Sequence, residues 1–212
     1  MALRHSSSSV DLPLLEAGDH LTRDEFERRY AMRPDIHKAE LVQGVVHVPS
    51  PVKIDDHGVP VSLITAWLVN YAALHPGTRV ATDGTVRLSA VDVVQPDVML
   101  WREGGSASTD ADNYLEGAPE LVVEVAASSA TYDLHTKKES YRRAGVREYI
   151  VWRTMDHMID WFRLVDGQYK NVLPDEEGTV ESTVFPGLRL NLPRLLQGDP
   201  AAILPLGFSP RA

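Results

Sequence analysis

Glu124 and Lys137 are charged residues that the sequence places where charge is costly. Glu124 stands in the middle of the apolar run LVVEVA, and Lys137 stands in the next predicted helix, on the side that faces this run. An ionised carboxylate that is buried without a partner costs several kcal/mol. We therefore expect Glu124 to be semi-buried and to pair with Lys137.

Asp97 supplies a third charge. It follows Pro96 in the segment QPDVMLW, and proline fits the start or the edge of a strand because it has no N–H to donate. If this strand lies beside LVVEVA, Asp97 and Glu124 converge with Lys137 above them. Two clustered carboxylates repel each other unless a cation lies between them. Their hard oxygen atoms suit Mg²⁺ or Mn²⁺.

This group of charges predicts phosphoryl chemistry, in which two carboxylates hold a metal ion that polarises a phosphate while the lysine orients or deprotonates a water. We predict Asp97, Glu124 and Lys137 as the catalytic residues, and Asp97 and Glu124 as the metal ligands. A buried ion pair between Glu124 and Lys137 without any catalytic function explains those two residues equally well. The additional charge of Asp97 favours a site.

The elements around Glu124 read as strand, helix, strand over residues 120–152. Such a unit forms a parallel pair of strands through a right-handed crossover. Because strand side chains alternate, Glu124 shares a face of the strand with Val122 and Ala126. We expect the connecting helix to cover the sheet, so that the partner of Glu124 comes from this helix.

The helix predicted near residues 131–144 directs one of two adjacent lysines to the sheet. An advance of about 100° per residue puts Lys137 inside the apolar stripe and Lys138 toward its edge. Asp133, four residues before Lys137, can pair with it along the helix. Gly145 is a suitable C-cap that ends the helix.

The remaining patterns predict an α/β domain around a mixed sheet that is flanked by helices, with additional antiparallel hairpins. We expect this domain to span residues 16–198, between a disordered tail over 1–15 and a loosely ordered tail over 199–212. The other predicted elements are a helix capped by Thr22 and Glu25, two short strands or one bent strand around Gly44, a long helix from His57 to Pro76-Gly77, hairpins at Asp83-Gly84 and Asp166-Gly167, a strand over 93–101 and a surface loop over 102–119.

Composition excludes several classes of protein. The chain has no cysteine, which excludes a disulfide framework, a Cys-ligated zinc site and thiol catalysis. No apolar stretch approaches the roughly 20 residues that cross a bilayer, and the polar segment MALRHSSSSVDLP lacks the apolar run of a signal peptide, so we expect a cytoplasmic protein without a membrane partner. The formal charge of −9 counts against tight binding of DNA, a polyanion.

The order of these residues resembles the PD-(D/E)XK nuclease superfamily, and more closely its Uma family of bacterial restriction-endonuclease-like proteins. The resemblance covers roughly residues 20–198, and its most specific part runs from Pro119 to Trp152. The matching segments are AELVQGVV, PSPVKIDDHG, QPDVMLW, PELVVEVAASSATYDLHTKKESYRRAGVREYIVW and VFPGLRLNL. It implies a restriction-endonuclease-like fold.

The resemblance also implies roles for individual residues. Asp97 corresponds to the aspartate of the PD element, and Glu124 corresponds to the second acid. Both would be metal ligands. The superfamily has a lysine two residues after that acid, where this chain has Ala126; Lys137 takes its place from the helix. Glu40 and His57 would border the site, although an exposed strand carboxylate describes Glu40 equally well, and a surface or capping role describes His57.

We therefore predict an Mg²⁺- or Mn²⁺-dependent endonuclease that hydrolyses DNA, with weak or transient binding because of its net charge. Glu40, His57 and Asp133 are candidate accessory residues. One alternative is an oligomeric binding or regulatory module that keeps the fold and a residual ion pair. Another is the hydrolysis of a smaller phosphate compound by the same residues. Strand aromatics and hairpins that expose an edge predict a homodimer.

Overall fold

The computed structural model describes residues 13–204. Its helices are α1 (Arg23–Ala31), α2 (Val59–Leu74), α3 (Ala130–Tyr132), α4 (Lys138–Ala144) and α5 (Leu192–Leu196), with π-helical turns at Ile54–Gly58 and Asp133–Lys137 and a 3₁₀ turn at Pro200–Ile203. Its strands are β1 (Glu40–Val42), β2 (Val45–His47), β3 (Thr78–Thr82), β4 (Val86–Arg87), β5 (Val93–Val94), β6 (Val98–Arg102), β7 (Ala107–Thr109), β8 (Leu115–Gly117), β9 (Leu121–Ala126), β10 (Glu148–Arg153), β11 (Met158–Val165), β12 (Gln168–Asn171), β13 (Thr179–Glu181) and β14 (Arg189–Asn191).

These strands form two six-stranded mixed sheets and one hairpin. The first sheet has the order β2-β1-β5-β4-β8-β7, and the second has the order β12-β11-β10-β9-β6-β3. Strands β9 and β10 are parallel, which the strand–helix–strand pattern predicted, while β6 is antiparallel to β9. The predicted mixed α/β architecture with antiparallel hairpins is confirmed, and it has a second sheet that the sequence did not predict.

Strand alternation in β9 divides the apolar core into two layers. Leu121, Val123 and Val125 face a layer formed with α2, α5 and the β13–β14 hairpin. Val122 and Ala126 face the opposite layer, which lies between the two sheets and contains residues of α4. Glu124 has the second orientation, so the carboxylate is directed into the space between the sheets, under the helix that follows β9.

Several predicted elements are present. The Thr22 hydroxyl accepts the N–H of Glu25, as a capping residue of α1 should. The strands β1 and β2 turn at Gln43 and Gly44, which both have positive φ, and β11 and β12 turn at Asp166 and Gly167 in the same way. Positive φ at both positions of a two-residue turn suits the twist of a hairpin.

Three predicted connections are wrong. The segment on either side of Asp83-Gly84 is not a hairpin, because β3 pairs with β6 in one sheet while β4 pairs with β5 and β8 in the other. The strand predicted over 93–101 is divided at Pro96 into β5 and β6, which belong to different sheets. The predicted surface loop over 102–119 contains the β7–β8 hairpin. Local alternation could not reveal that the chain changes sheets at these points.

The described parts of the two predicted tails contact the core. Leu15 is buried with Phe26 of α1, and Ala202 and Ile203 are buried beside α2. Residues 1–12 and 205–212 of the tails lie outside the described residues. Within the described part of the chain, none of the helices is long and apolar enough to cross a membrane.

Candidate functional site

The site begins at the second half of β9, where every residue is buried. Glu124 is only 3% exposed, so it is more deeply buried than the sequence predicted. Its Oε1 atom lies 2.7 Å from the Nζ atom of Lys137 and accepts a hydrogen bond from the Tyr141 hydroxyl at 2.6 Å. The predicted pairing of Glu124 with Lys137 is therefore present.

The π-helical turn between α3 and α4 positions Lys137. The turn ends at Lys137, which is 3% exposed, and Lys138 donates its backbone N–H to Asp133, five residues earlier. The side chain of Lys138 leaves in another direction and lies 3.4 Å from the ring centroid of Phe162. The two adjacent lysines have different surroundings, as the helical periodicity predicted.

Glu40 comes from β1 of the other sheet and meets the same lysine. Its Oε1 atom lies 3.0 Å from Lys137 Nζ and also accepts the backbone N–H of Gln95 at 2.7 Å. Because Glu40 is 4% exposed, the interpretation as an exposed strand carboxylate is excluded. The Lys137 ammonium thus joins an acid from each of the two sheets.

Asp97 immediately precedes β6, the neighbour of β9, so the two strands bring it beside Glu124. Its Oδ2 atom accepts the backbone N–H of Val125 at 2.8 Å. Its Oδ1 atom lies 3.4 Å from Lys38 Nζ and 3.5 Å from His57 Nε2. One oxygen of Asp97 is therefore held by the sheet, while the other is directed toward two basic side chains.

His57 lies in the π-helical turn that precedes α2, and its imidazole faces the site. Its Nδ1 atom is 2.9 Å from the carbonyl oxygen of Val125, so a protonated Nδ1 would donate there and leave Nε2 toward Asp97. The side chain is 15% exposed. The structure thus gives His57 a contact with Asp97 and does not give its side chain a capping hydrogen bond within the described residues.

Asp133 does not form the ion pair with Lys137 that its spacing predicted. Its Oδ2 atom instead accepts the Ser129 hydroxyl at 2.6 Å, and its backbone carbonyl accepts the Tyr149 hydroxyl at 3.0 Å. The wide π-helical turn changes the i,i+4 geometry on which the prediction depended. Asp133 is nevertheless buried close enough to affect the pKa of Lys137 through its charge.

Two residues of this group were missed in the sequence. Tyr141 lies four residues after Lys137 in the apolar stripe of the helix, and this spacing was a signal that its hydroxyl reaches the same carboxylate. Lys38 lies two residues before Glu40, and residues two apart in an extended chain share a side. Both signals became clear only once Glu40 was placed beside Lys137.

Burial and charge act in opposite directions on the acids and lysines. Burial, assisted by the charges of Asp97 and Asp133, raises the pKa of Glu124 to about 8, although Lys137 opposes this shift. Burial alone would lower the pKa of Lys137, but Glu124 and Glu40 outweigh it and hold the pKa above its usual value. Lys137 is therefore charged throughout the physiological range, whereas the raised pKa of Glu124 favours its protonated form more than that of an exposed glutamate.

Two side chains of this group have the chemistry of metal ligands. Asp97 and Glu124 offer hard carboxylate oxygens, and Mg²⁺ commonly binds one or two carboxylates while it keeps several waters or substrate phosphates. Among residues 13–204 there is no group of three His, Asp or Glu side chains arranged to hold a cation. The chemistry of these two carboxylates suits a hydrated divalent cation, whereas the described residues do not form a closed protein cage for one.

Comparison with known proteins shows a family and a shared fold. The model of the family described as "Uma2: Putative restriction endonuclease" matches residues 23–193. The fold is similar to the crystal structure of "a putative nuclease belonging to DUF820 from Anabaena variabilis ATCC 29413", with a TM-score of 0.59 and 13% sequence identity. That similarity covers 84% of this chain and 98% of the other, and at this identity it shows a shared fold. No curated protein matches the chain.

Proposed function

The chain belongs to the Uma2 family of restriction-endonuclease-like proteins, and from this premise we propose that it is a divalent-metal-dependent endonuclease that hydrolyses DNA. The observation that supports the proposal is the buried contact of Lys137 with Glu124 and Glu40, next to Asp97. Two acids contact this one lysine, and Asp97 adds a third negative charge near Glu124, which is more than a structural ion pair requires. The excess of negative charge favours a bound cation.

In this proposal Asp97 Oδ1 and Glu124 are the metal ligands, and Mg²⁺ or Mn²⁺ supplies Lewis-acid stabilisation of the charge that develops on the phosphate. Val125 orients Asp97 through its backbone N–H, and Tyr141 and Lys137 orient Glu124. A water attacks the phosphorus in line, its oxygen forms a new P–O bond, and the opposite P–O ester bond breaks. The water proton passes to solvent, and the leaving alcohol oxygen takes the electron pair of the broken bond and a proton from solvent.

The accessory residues have supporting roles in the same proposal. Glu40 shares the charge of Lys137 and so limits the attraction of the lysine for Glu124. His57 lies beside Asp97 Oδ1 and helps to set its orientation. Asp133 adds negative charge that keeps Lys137 protonated. Each of these roles acts through another residue, so loss of any one should reduce activity less than loss of Asp97 or Glu124.

The test is nicking of supercoiled DNA by the full chain with Mg²⁺ or Mn²⁺. We expect nicking that EDTA abolishes and that falls by at least about 100-fold in Asp97→Ala, Glu124→Gln and Lys137→Met. Lys138→Met is the matched control, because the adjacent side chain contacts Phe162 instead. Circular dichroism confirms that the variants fold. No nicking by the wild type, or equal nicking by the Glu124 variant, contradicts the proposal.

A binding or regulatory module is a second candidate, and two observations favour it. The ammonium of Lys137 is already enclosed by two carboxylates, and the net charge of −9 repels a polyanion. Calorimetry with Mn²⁺ separates the two candidates. Binding that disappears in Asp97→Ala supports the metal site, whereas no heat of binding in the wild type supports the module.

We also propose a homodimer. Strand β12 is at the outer edge of its sheet among the described strands, and edge strands offer unpaired backbone groups to a second chain. Light scattering coupled to size-exclusion chromatography tests the proposal directly. A molecular mass twice that of one chain is expected, and a monomer at micromolar concentration contradicts it.

A further inference from the structure

Lys137 is poorly placed to contact a substrate phosphate. Its ammonium lies between Glu124 and Glu40, and the side chain is only 4% exposed. A phosphate that approached it would have to displace one of the two carboxylates and enter a closed layer of core residues. If the proposed nuclease function holds, another cation must therefore meet the scissile phosphate.

We propose that Lys38 is this cation and that Lys137 is a positioning residue that acts through Glu124; this inference rests on the proposed function. Among the lysines and arginines in the described part of the chain, Lys38 alone forms an ion pair with Asp97, at 3.4 Å. Its side chain is 29% exposed, against 4% for Lys137. Lys38 therefore lies at the opening of the site, with its charge next to a proposed metal ligand.

The contacts of Lys38 leave room for a ligand. A lysine ammonium has three N–H donors, and those of Lys38 reach Asp97 Oδ1 at 3.4 Å and Asp83 Oδ1 at 3.1 Å. Within residues 13–204 the third donor has no protein acceptor. Asp83 is on an exposed turn, with 64% of its side chain accessible, so this ion pair is weak and readily replaced by a phosphate.

Asp97 does not need Lys38 for its orientation, so a purely structural role accounts poorly for the position of Lys38. Asp97 is already oriented by the 2.8 Å hydrogen bond from Val125, and its distance to Lys38 is long for a strong ion pair. A lysine side chain is ordinarily protonated at neutral pH, and Lys38 lies within ion-pair distance of two carboxylates, Asp97 and Asp83. The ammonium therefore stays charged and available for the non-bridging oxygens of a phosphodiester.

The test uses the full chain and a fluorescent DNA duplex, with Lys38→Ala, Lys38→Arg and Lys138→Ala compared with the wild type. Lys138 is the matched control because its ammonium lies over the ring of Phe162 and not beside Asp97. Anisotropy in EDTA measures how the logarithm of the binding constant falls with the logarithm of the salt concentration. We expect the slope to decrease by about one in Lys38→Ala, as for the loss of one phosphate contact, and to be restored in Lys38→Arg.

Two further measurements distinguish phosphate contact from a structural role. With Mg²⁺, we expect kcat/KM for cleavage to fall by about 100-fold in Lys38→Ala and by less than about 10-fold in Lys38→Arg. Calorimetry should show Mn²⁺ binding that is unchanged or tighter in Lys38→Ala, because a positive charge beside Asp97 has been removed. Weaker Mn²⁺ binding together with an unchanged salt slope overturns the inference.

The same data separate this inference from the proposed function. If the wild type does not cut DNA, the proposed function fails, and the salt slope of Lys38→Ala still decides whether Lys38 contacts phosphate. If the wild type cuts and Lys38→Ala cuts equally well with the same slope, the proposed function stands and the role of Lys38 is refuted.

Discussion

At the scale of single residues, the site consists of charges whose surroundings differ within a few ångströms. Lys137 and Lys138 are consecutive, yet one is enclosed by carboxylates and the other lies over an aromatic ring. The difference arises because successive helical side chains point about 100° apart. Lys138 is therefore a control for Lys137, because substitution of each lysine shows what the buried ammonium of Lys137 contributes to stability and activity.

We expect Lys137→Met to lower the free energy of unfolding at pH 8 by about 3 kcal/mol, because it leaves buried carboxylates without their cation. Lys138→Met should lower it by less than about 1 kcal/mol, since only a cation–π contact is lost. Urea unfolding followed by circular dichroism measures both. Equal losses in the two variants would show that the buried ion pair is not what stabilises this region.

Glu124 predicts a pH dependence of stability with a definite sign. Its pKa rises from 4.5 to about 8 on folding, so the folded state binds more protons than the unfolded state between these values. Its contribution to stability is therefore fully present below pH 4.5 and is lost as the pH rises through about 8. We expect Glu124→Gln to be less destabilised than the wild type as the pH rises from 5 to 8.

The measurement is urea unfolding of both proteins at several pH values across this window. The difference between the two curves isolates Glu124, because the other titrating groups are common to both proteins. Lys137 does not make the free energy of unfolding depend on pH in this window. Its pKa is raised above the ordinary value of 10.5, so the stability that it contributes is lost only above that pH. Parallel curves would contradict the pKa assigned to Glu124.

At the scale of elements, helical turns wider than an α-helix carry two of the site residues. His57 lies in the turn before α2 and Lys137 ends the turn before α4, and π-helical turns are frequent at functional sites. Asp92 connects α4, the helix that follows the second turn, to the β1–β2 hairpin of the first sheet. It accepts hydrogen bonds from the Ser140 hydroxyl at 2.6 Å and from the backbone N–H of Gln43 at 2.8 Å.

Two glycines near these turns predict opposite effects of the same substitution. Gly145 ends α4 with φ of 89°, so Gly145→Ala should cost about 1 kcal/mol, although nothing lies within 4 Å of the added methyl group. Gly58 has φ of −60° and ψ of −44°, which alanine adopts readily. Gly58→Ala should therefore leave stability unchanged or raise it by about 0.5 kcal/mol.

Thermal and urea unfolding of the two glycine variants check this prediction. Their nicking activity with Mg²⁺ tells whether the helix end positions Lys137. A loss of stability in Gly58→Ala similar to that in Gly145→Ala would mean that the backbone conformation of these positions is not the deciding factor.

At the scale of the whole molecule, the site joins the two sheets, because Glu40 belongs to one and Glu124 to the other. We propose that the sheets unfold together as one domain. The four tryptophans are buried in α2 or in the second sheet, so their fluorescence reports that sheet, while far-UV circular dichroism reports the whole chain. We expect coincident urea transitions by the two probes. An earlier transition by circular dichroism alone would show that the first sheet unfolds separately.

The sequence by itself determined the central part of the molecule. Alternation in LVVEVA and the helical period after it predicted the buried face of Glu124 and the separation of Lys137 from Lys138, because these patterns depend only on neighbouring residues. The parallel pair of β9 and β10 followed from the same local signals. The predicted catalytic roles of Asp97, Glu124 and Lys137 stay predictions that the nicking test addresses.

Only the tertiary structure decided which distant residues complete the group. Glu40, which the resemblance names as a candidate, reaches it from β1 of the other sheet, and Lys38 reaches it from the segment before β1. The strand pairing that brings them there leaves no trace in local periodicity. For the same reason the chain changes sheet at Asp83-Gly84 and at Pro96, where alternation predicted a hairpin and one continuous strand. Local patterns specify the direction of a side chain, whereas its partners depend on contacts between segments far apart in the chain.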